Sequence, residues 1–168
     1  MRVVVPFAAE SPKTRLADVL SPDERRQLAY TMLGDVLSVL RSAGHDPELL
    51  ATASVDVDVP VVVDDRPLTE AVNGVLEDTA DSVAIVMADL PLVTEDAVSR
   101  LFDADGDVVI APGRGGGTNA LVVREPAFRV DYHGVSFLDH VQAARALGAT
   151  VDVVDSRRLA TDVDEPAD

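Results

Sequence analysis

The chain has 168 residues, of which 47% are hydrophobic, and it contains no cysteine. This length and apolar content predict a single folded domain over residues 1–168, and the lack of cysteine excludes a disulfide framework. The 30 acidic residues outnumber the 14 basic residues, which gives a formal net charge of −16. A surface this acidic repels a phosphate backbone, so the composition argues against nucleic acid as a general partner.

The same numbers suggest where the protein works. No apolar run in the sequence reaches the roughly 18 residues that a membrane span requires, so we expect no membrane contact. The first residues resemble a strand rather than a signal peptide and cysteine is absent, so we expect a cytoplasmic location. Thirteen of the basic residues are arginine, and Lys13 is the single lysine. Surplus acid with almost no lysine is expected of a protein adapted to a very salty cytoplasm, where salt screens the repulsion between its charges.

Apolar runs and amphipathic stretches follow one another along the chain, as in an α/β fold. Ser21, Pro22 and Glu24 carry the signals that open a helix, and Gly44 ends that helix. Further helices are predicted from residue 66, from Thr94 and from Ser136. The predicted strands cover residues 2–7, 49–54, 59–63, a run from residue 82 with Asp89 at its C-terminal edge, 107–111, 120–123 and 150–154.

The fourth predicted strand leads to a single carboxylate, Asp89, which is followed by Leu90 and Pro91. Ligands of open α/β sheets bind beyond the carboxyl ends of the strands, and the proline would hold Asp89 on a stiff turn there. Asp89 is therefore a candidate metal ligand. The alternative is a residue that only caps the turn.

A polar loop, residues 8–16, follows the first strand and carries Lys13 and Arg15. Backbone N–H groups and cations beside a strand end can hold a polyphosphate. The loop has no glycine and matches neither the Walker motif nor the dinucleotide fingerprint, so it does not identify a nucleotide site by itself.

Two further segments could hold an anion. Residues 112–119 are rich in glycine and include Arg114, Thr118 and Asn119 as hydrogen-bond donors, although a hairpin between two strands is the alternative. Ser136 is the predicted N-cap of a helix whose free N–H groups would form a second seat. His133 and His140 are interpreted as surface or core residues, because their spacing does not suit a metal.

Asp162 and Asp164 alternate along an extended segment, so both carboxylates face one side. Oxygen ligands in this arrangement suit a hard cation, with Asp89 as a partner. A solvated acidic segment is the alternative.

These segments together resemble the 2-phospho-L-lactate guanylyltransferases of coenzyme F420 biosynthesis. The resemblance runs nearly the whole chain and rests on residues 5–7, 13–16, 20–25, 89–92, 117–121, 134–137 with His140, and 162–166. It implies a Rossmann-like nucleotidyltransferase fold in which helices flank a mixed, mostly parallel sheet, and it suggests a homodimer.

The activity implied by the resemblance is GMP transfer from GTP to the phosphate of 2-phospho-L-lactate. The products would be pyrophosphate and lactyl-2-diphospho-5'-guanosine. An acceptor phosphate is already an anionic nucleophile, so this reaction needs positioning and charge neutralisation rather than a general base.

Roles for individual residues also follow from the resemblance. Mg²⁺ would be held by Asp89, Asp162 and Asp164. The triphosphate would face Lys13 and Arg15, which together with Asp89 form the catalytic set. The nucleoside would lie near Leu68, Thr69 and Asn73, and the acceptor would be seated by Thr118, Gly134 and Ser136.

Three alternatives remain open at the level of sequence. The acceptor could be phosphoenolpyruvate or 3-phosphoglycerate, which carry the same phosphate and carboxylate. A molybdopterin or sugar-phosphate nucleotidyltransferase would have the same fold, but its glycine-rich first loop is absent. A nucleotide-binding module without turnover is the third alternative, because Ala8 stands where the family commonly has a second lysine.

Overall fold

The computed structural model describes residues 1–10 and 12–168; Ser11, in the predicted phosphate loop, lies outside the described residues. The strands are β1 (Arg2–Phe7), β2 (Pro47–Ala51), β3 (Val61–Val63), β4 (Val83–Val86), β5 (Val108–Pro112), β6 (Thr118–Val123) and β7 (Val151–Val153). The helices are α1 (Pro22–Ser42), α2 (Leu68–Asp78), α3 (Glu95–Phe102), α4 (Ser136–Ala146) and α5 (Arg157–Ala160).

The seven strands form one sheet in the order β3-β2-β1-β4-β6-β5-β7. Strand β6 runs antiparallel to both of its neighbours, β4 and β5, while the other strand pairs are parallel. The expectation of a mixed, mostly parallel sheet flanked by helices is therefore confirmed.

The core lies on both faces of this sheet. Alternate residues of β1 point to opposite faces, so Val3 and Val5 join one apolar cluster and Val4 joins the other. The first cluster is completed by α1, α3 and α5, and the second by α2 and α4. Because both faces are covered, the central strands are buried throughout, which explains their continuous apolar sequence.

The start of α1 follows the predicted chemistry. Ser21 accepts a hydrogen bond from the backbone of Glu24, whose carboxylate in turn accepts one from the backbone of Ser21, so the capping box is complete. At α4 the prediction was wrong by one residue: Val135 is the N-cap, and Ser136 is the first helical residue. The hydroxyl of Ser136 is buried and does not cap the helix.

Several predicted strand bounds shift by a few residues. β2 ends at Ala51 instead of Ser54, and β6 begins two residues early, at Thr118, because Thr118 pairs with Pro112 across the β5-β6 hairpin. The glycine-rich residues 113–117 form the loop of this hairpin. Within residues 1–10 and 12–168, no helix is both long enough and apolar enough to cross a membrane.

Candidate active site

The candidate site is a cavity of about 690 Å³ at the carboxyl edge of the parallel strands. Because β6 is antiparallel, its first residues, rather than its last, reach this edge beside the residues that follow β4. The cavity is lined by the predicted site residues Arg15, Leu68, Asp89, Thr118, Gly134, Ser136, Asp162 and Asp164. The fold therefore brings together most of the residues that the sequence singled out.

Lys13 lies between two of the predicted metal ligands. Its ammonium nitrogen is 2.5 Å from Oδ2 of Asp89 and 3.0 Å from Oδ1 of Asp164. The side chain of Lys13 is only 9% exposed, and its backbone adopts the left-handed conformation (φ 55°), which is uncommon for a residue with a Cβ. A buried ammonium in a constrained conformation is typical of a functional position rather than a surface lysine.

The charges in this cluster do not balance. Burial raises the pKa of Asp89, more than the attraction of Lys13 lowers it, and the nearby carboxylates of Asp162 and Asp164 raise it further. Burial alone would lower the pKa of Lys13, but Asp89 and Asp164 raise it above its usual value. Burial is the main cause for Asp89, and the crowded carboxylates raise the pKa of both groups; a bound cation would offset this negative charge.

Asp162 is held in place by Asn119, which the sequence suggested as an anion donor. The amide nitrogen of Asn119 donates to the carbonyl of Leu159 at 3.0 Å and to Oδ1 of Asp162 at 3.1 Å. A Cβ added to Gly113 would lie 2.6 Å from the Asn119 side chain, so glycine is needed there for close packing. Asn119 lines the cavity, but its amide nitrogen already donates to Leu159 and Asp162, so it orients a metal-ligand candidate and is not a free donor.

The donor set fits a hard cation such as Mg²⁺. Asp89, Asp162 and Asp164 supply carboxylate oxygens to one cavity, and their surplus charge favours a divalent ion. In the described part of the chain, no three acidic or histidine side chains already converge at metal-binding distance. Lys13 takes up the carboxylates of Asp89 and Asp164 instead, so a metal would share or displace this ion pair.

Arg15 stands at the rim of the same cavity. Its guanidinium is 3.2 Å from Asp164 and 3.6 Å from Glu165, and its side chain is 64% exposed. A second cation at the rim, Arg114, lies in the hairpin loop that follows β5. Both guanidinium groups are open to solvent and could meet the phosphates of a ligand.

The acceptor candidates Thr118 and Ser136 lie side by side and are almost completely buried. Their hydroxyl oxygens are 3.3 Å apart, and Nδ1 of His140 is 2.9 Å from the Thr118 oxygen. Gly134 lies next to them, and a Cβ added there would meet no atom within 4 Å. His140 was predicted to be a surface or core residue, and the structure places it in the core; nothing in the sequence spacing pointed to its contact with Thr118.

Of the three residues predicted to lie near the nucleoside, one lines a cavity and two do not. Leu68 lines the main cavity and also a neighbouring apolar cavity of about 460 Å³ between the ends of β1 and β2 and the start of α2. Asn73 instead exchanges two hydrogen bonds with the backbone of Val130, at 2.8 and 2.9 Å, and Thr69 accepts one from Tyr132. The structure therefore does not bring Asn73 or Thr69 to either cavity; both anchor residues 130–132 against α2.

Comparisons with known proteins agree with this geometry. The family model described as "Guanylyl transferase CofC like" matches residues 1–168. A 2-phospho-L-lactate guanylyltransferase of Halomicrobium mukohataei is 62% identical over the whole of this chain and 83% of the relative's length. The protein of the same name from Haloferax volcanii is 61% identical over the whole of this chain and 82% of its own length.

The solved structures agree at the level of fold. A nucleotidyl transferase from Methanothermobacter superimposes with a TM-score of 0.71 at 20% identity, covering 99% of this chain and 93% of that one. The curated relatives come from halophilic archaea, which matches the acidic, lysine-poor composition. The fold, the carboxylate cluster at the sheet edge and the match over the full chain lead to one conclusion: the protein belongs to the CofC-like guanylyl transferase family.

Proposed function

We propose that this protein transfers GMP from GTP to the phosphate of 2-phospho-L-lactate, for coenzyme F420 biosynthesis. An oxygen of the acceptor phosphate forms a bond to the α-phosphorus of GTP, and the bond from that phosphorus to the bridging oxygen of the β-phosphate breaks. The products are lactyl-2-diphospho-5'-guanosine and pyrophosphate. The names of the relatives, at 62% and 61% identity, support this reaction.

The observation that carries the proposal is the composition of one cavity. Carboxylates suited to a metal and buried hydroxyl groups suited to an anion line the same space. The acceptor is an anionic nucleophile at neutral pH, so no proton has to be removed during transfer. The site accordingly needs cations and hydrogen-bond donors aimed at phosphate oxygens, and these are the groups that line it.

Each side chain has a distinct part in this proposal. Asp89, Asp162 and Asp164 would hold Mg²⁺, which when bound neutralises charge on the phosphates of GTP. Lys13 and Arg15 would contact the triphosphate, and the cavity beside Leu68 would receive the nucleoside. Thr118, Gly134 and Ser136 would bind the phosphate and carboxylate of the acceptor.

The setting of the reaction is also a proposal. GTP is available in the cytoplasm, so we place the enzyme there, and its net charge of −16 disfavours binding to nucleic acid. We further propose a homodimer, which sedimentation in concentrated KCl would test.

Pyrophosphate release tests the function directly. In concentrated KCl with Mg²⁺, GTP, ATP and CTP are each combined with phospholactate, phosphoenolpyruvate and 3-phosphoglycerate. Release confined to GTP with phospholactate supports the proposal, and release with another of these acids reassigns the acceptor. If folded protein releases no pyrophosphate in any of the nine combinations, the proposed reaction is wrong and a nucleotide-binding module without turnover becomes the favoured alternative.

A further inference from the structure

His140, in α4, is buried beside the proposed acceptor seat. It is 1% exposed, and the rings of Tyr132 and Phe128 pack edge-on against it at centroid distances of 5.3 and 6.1 Å. Both of its ring nitrogens have partners: Thr118 on one side and the backbone of Asp131 on the other. The ring is thus fixed in position as well as in orientation.

These two contacts determine which ring nitrogen carries the proton. The N–H of Asp131 can only donate, and it lies 2.9 Å from Nε2, so Nε2 must be an acceptor. In a neutral imidazole the proton is then on Nδ1, which donates to the oxygen of Thr118 at 2.9 Å. Burial lowers the pKa of His140 to about 4, which agrees with a neutral ring at physiological pH.

The N–H at Nδ1 of His140 limits how the hydroxyl groups of Thr118 and Ser136 can form hydrogen bonds. Thr118 cannot donate to the ring, so among the described residues its remaining hydroxyl partner is Ser136, 3.3 Å away. The two hydroxyl groups carry one proton each. One proton forms the hydrogen bond between the two oxygens, and the other can be donated into the cavity that both residues line. This count is the same whichever of the two hydroxyl groups donates across the gap.

We propose that His140 is a positioning residue that makes the Thr118 and Ser136 hydroxyl pair a hydrogen-bond donor toward the anionic group of the acceptor. The proposal deepens the acceptor seat described above and rests on it. His140 itself does not touch the substrate. A pair of hydroxyl groups held in this way favours a phosphate or carboxylate oxygen, which accepts hydrogen bonds only.

Two variants separate the two contacts of the ring. In His140→Asn the amide nitrogen can replace Nδ1 and donate to Thr118, whereas in His140→Gln the longer amide reaches toward Asp131 and leaves Thr118 without its donor. We expect the KM for phospholactate to rise about tenfold in His140→Gln and by less than about threefold in His140→Asn. The KM for GTP should stay unchanged in both.

A double-mutant cycle with Thr118→Val tests the route of the effect. If His140 acts through the Thr118 hydroxyl, His140→Gln should add no further rise in KM for phospholactate once that hydroxyl is gone. If the KM for phospholactate rises equally in the Asn and Gln variants, in proportion to their loss of unfolding free energy, then His140 has only a structural role and the proposal is overturned.

The tautomer can be measured without any turnover. Nitrogen NMR of the histidine rings in the full chain should show the His140 proton on Nδ1, and its signal should be missing in His140→Asn. A proton on Nε2 would overturn the inference even in an active enzyme. If the native protein transfers no guanylyl group, the proposed function fails while the tautomer measurement still decides the state of His140.

Discussion

Asp89 connects three parts of the chain at the scale of single residues. Its carboxylate binds Lys13, and its backbone carbonyl accepts a hydrogen bond from Val163, between the two other metal-ligand candidates. Asp89→Asn keeps the shape and removes the charge. We expect guanylyl transfer to fall by at least about 100-fold, the scale seen when one electrostatic contact to a transition state is lost.

A readout besides activity is Mg²⁺ binding to the nucleotide-free protein, measured by calorimetry, which should weaken in Asp89→Asn. The matched control is Asp35→Asn, which removes one exposed carboxylate from α1. Near-native transfer and Mg²⁺ affinity in the Asp89 variant would remove this residue from the metal site.

Gly134 offers a substitution that tests ligand approach rather than folding. An added Cβ there meets no protein atom within 4 Å, so Gly134→Ala should fold normally, yet the methyl group would project beside the acceptor seat. We expect the KM for phospholactate to rise about tenfold or more, with the KM for GTP unchanged. Gly34→Ala is the control, because it also meets open space but lies in α1, where alanine favours the helix. An unchanged KM would place the acceptor elsewhere.

The buried ring of His140 predicts a pH dependence of stability. Its pKa falls from 6.5 in the unfolded chain to about 4 in the folded protein, chiefly through burial. The unfolded state therefore binds a proton first, and stability should decrease as the pH falls from 6.5 to about 4, by roughly 3 kcal/mol. Urea unfolding at several pH values measures the free energy of unfolding of the native protein and of His140→Asn. The same pH dependence in both proteins would contradict the prediction.

Some site residues could be predicted from the sequence, whereas the roles of others could not. Lys13 and Asp89 were identified because each stands beside a predicted strand end, a position visible in sequence. Thr118 is 22 residues away from His140, and Asp162 is 43 residues away from Asn119, so only the fold brings these pairs together. The residue types alone did not distinguish a positioning role from a core or ligand role.

At the scale of elements, α2 is tied to the segment that precedes α4. Asn73 uses both ends of its amide on the backbone of Val130. Asn73→Leu would leave these backbone groups without partners, so we expect a loss of about 1–3 kcal/mol in the free energy of unfolding. The KM for GTP should be unchanged, since Asn73 reaches neither cavity described above. A raised KM for GTP in a stable variant would restore Asn73 as a nucleotide contact.

Element types were predictable, whereas the order of the strands in the sheet was not. Apolar runs and caps identify strands and helices because burial and hydrogen bonding act locally. The glycine-rich segment suggested either a hairpin or an anion site, and the structure shows that it is a hairpin loop that also lines the cavity. The strand order depends on pairings between distant parts of the chain, such as β4 with β6, which local pattern does not encode.

At the scale of the whole molecule, the net charge of −16 predicts salt dependence. At low ionic strength the acidic surface repels itself, and salt shortens the range of that repulsion. We expect the melting temperature to rise by at least about 5 °C between 0.1 and 2 M KCl, equivalent to roughly 1–2 kcal/mol. A melting temperature that does not change across this range would show that the composition is not an adaptation to salt.

The ion pair between Lys13 and Asp164 joins residues 151 positions apart. During synthesis, Lys13 leaves the ribosome long before Asp164 is translated, so a nascent chain holds its single lysine without one of its two carboxylate partners. Strands β1, β2 and β4 can already pair at that stage, but the charged cluster cannot close. The site proposed for a metal and a triphosphate can therefore be completed only after nearly all of this sequence has been translated.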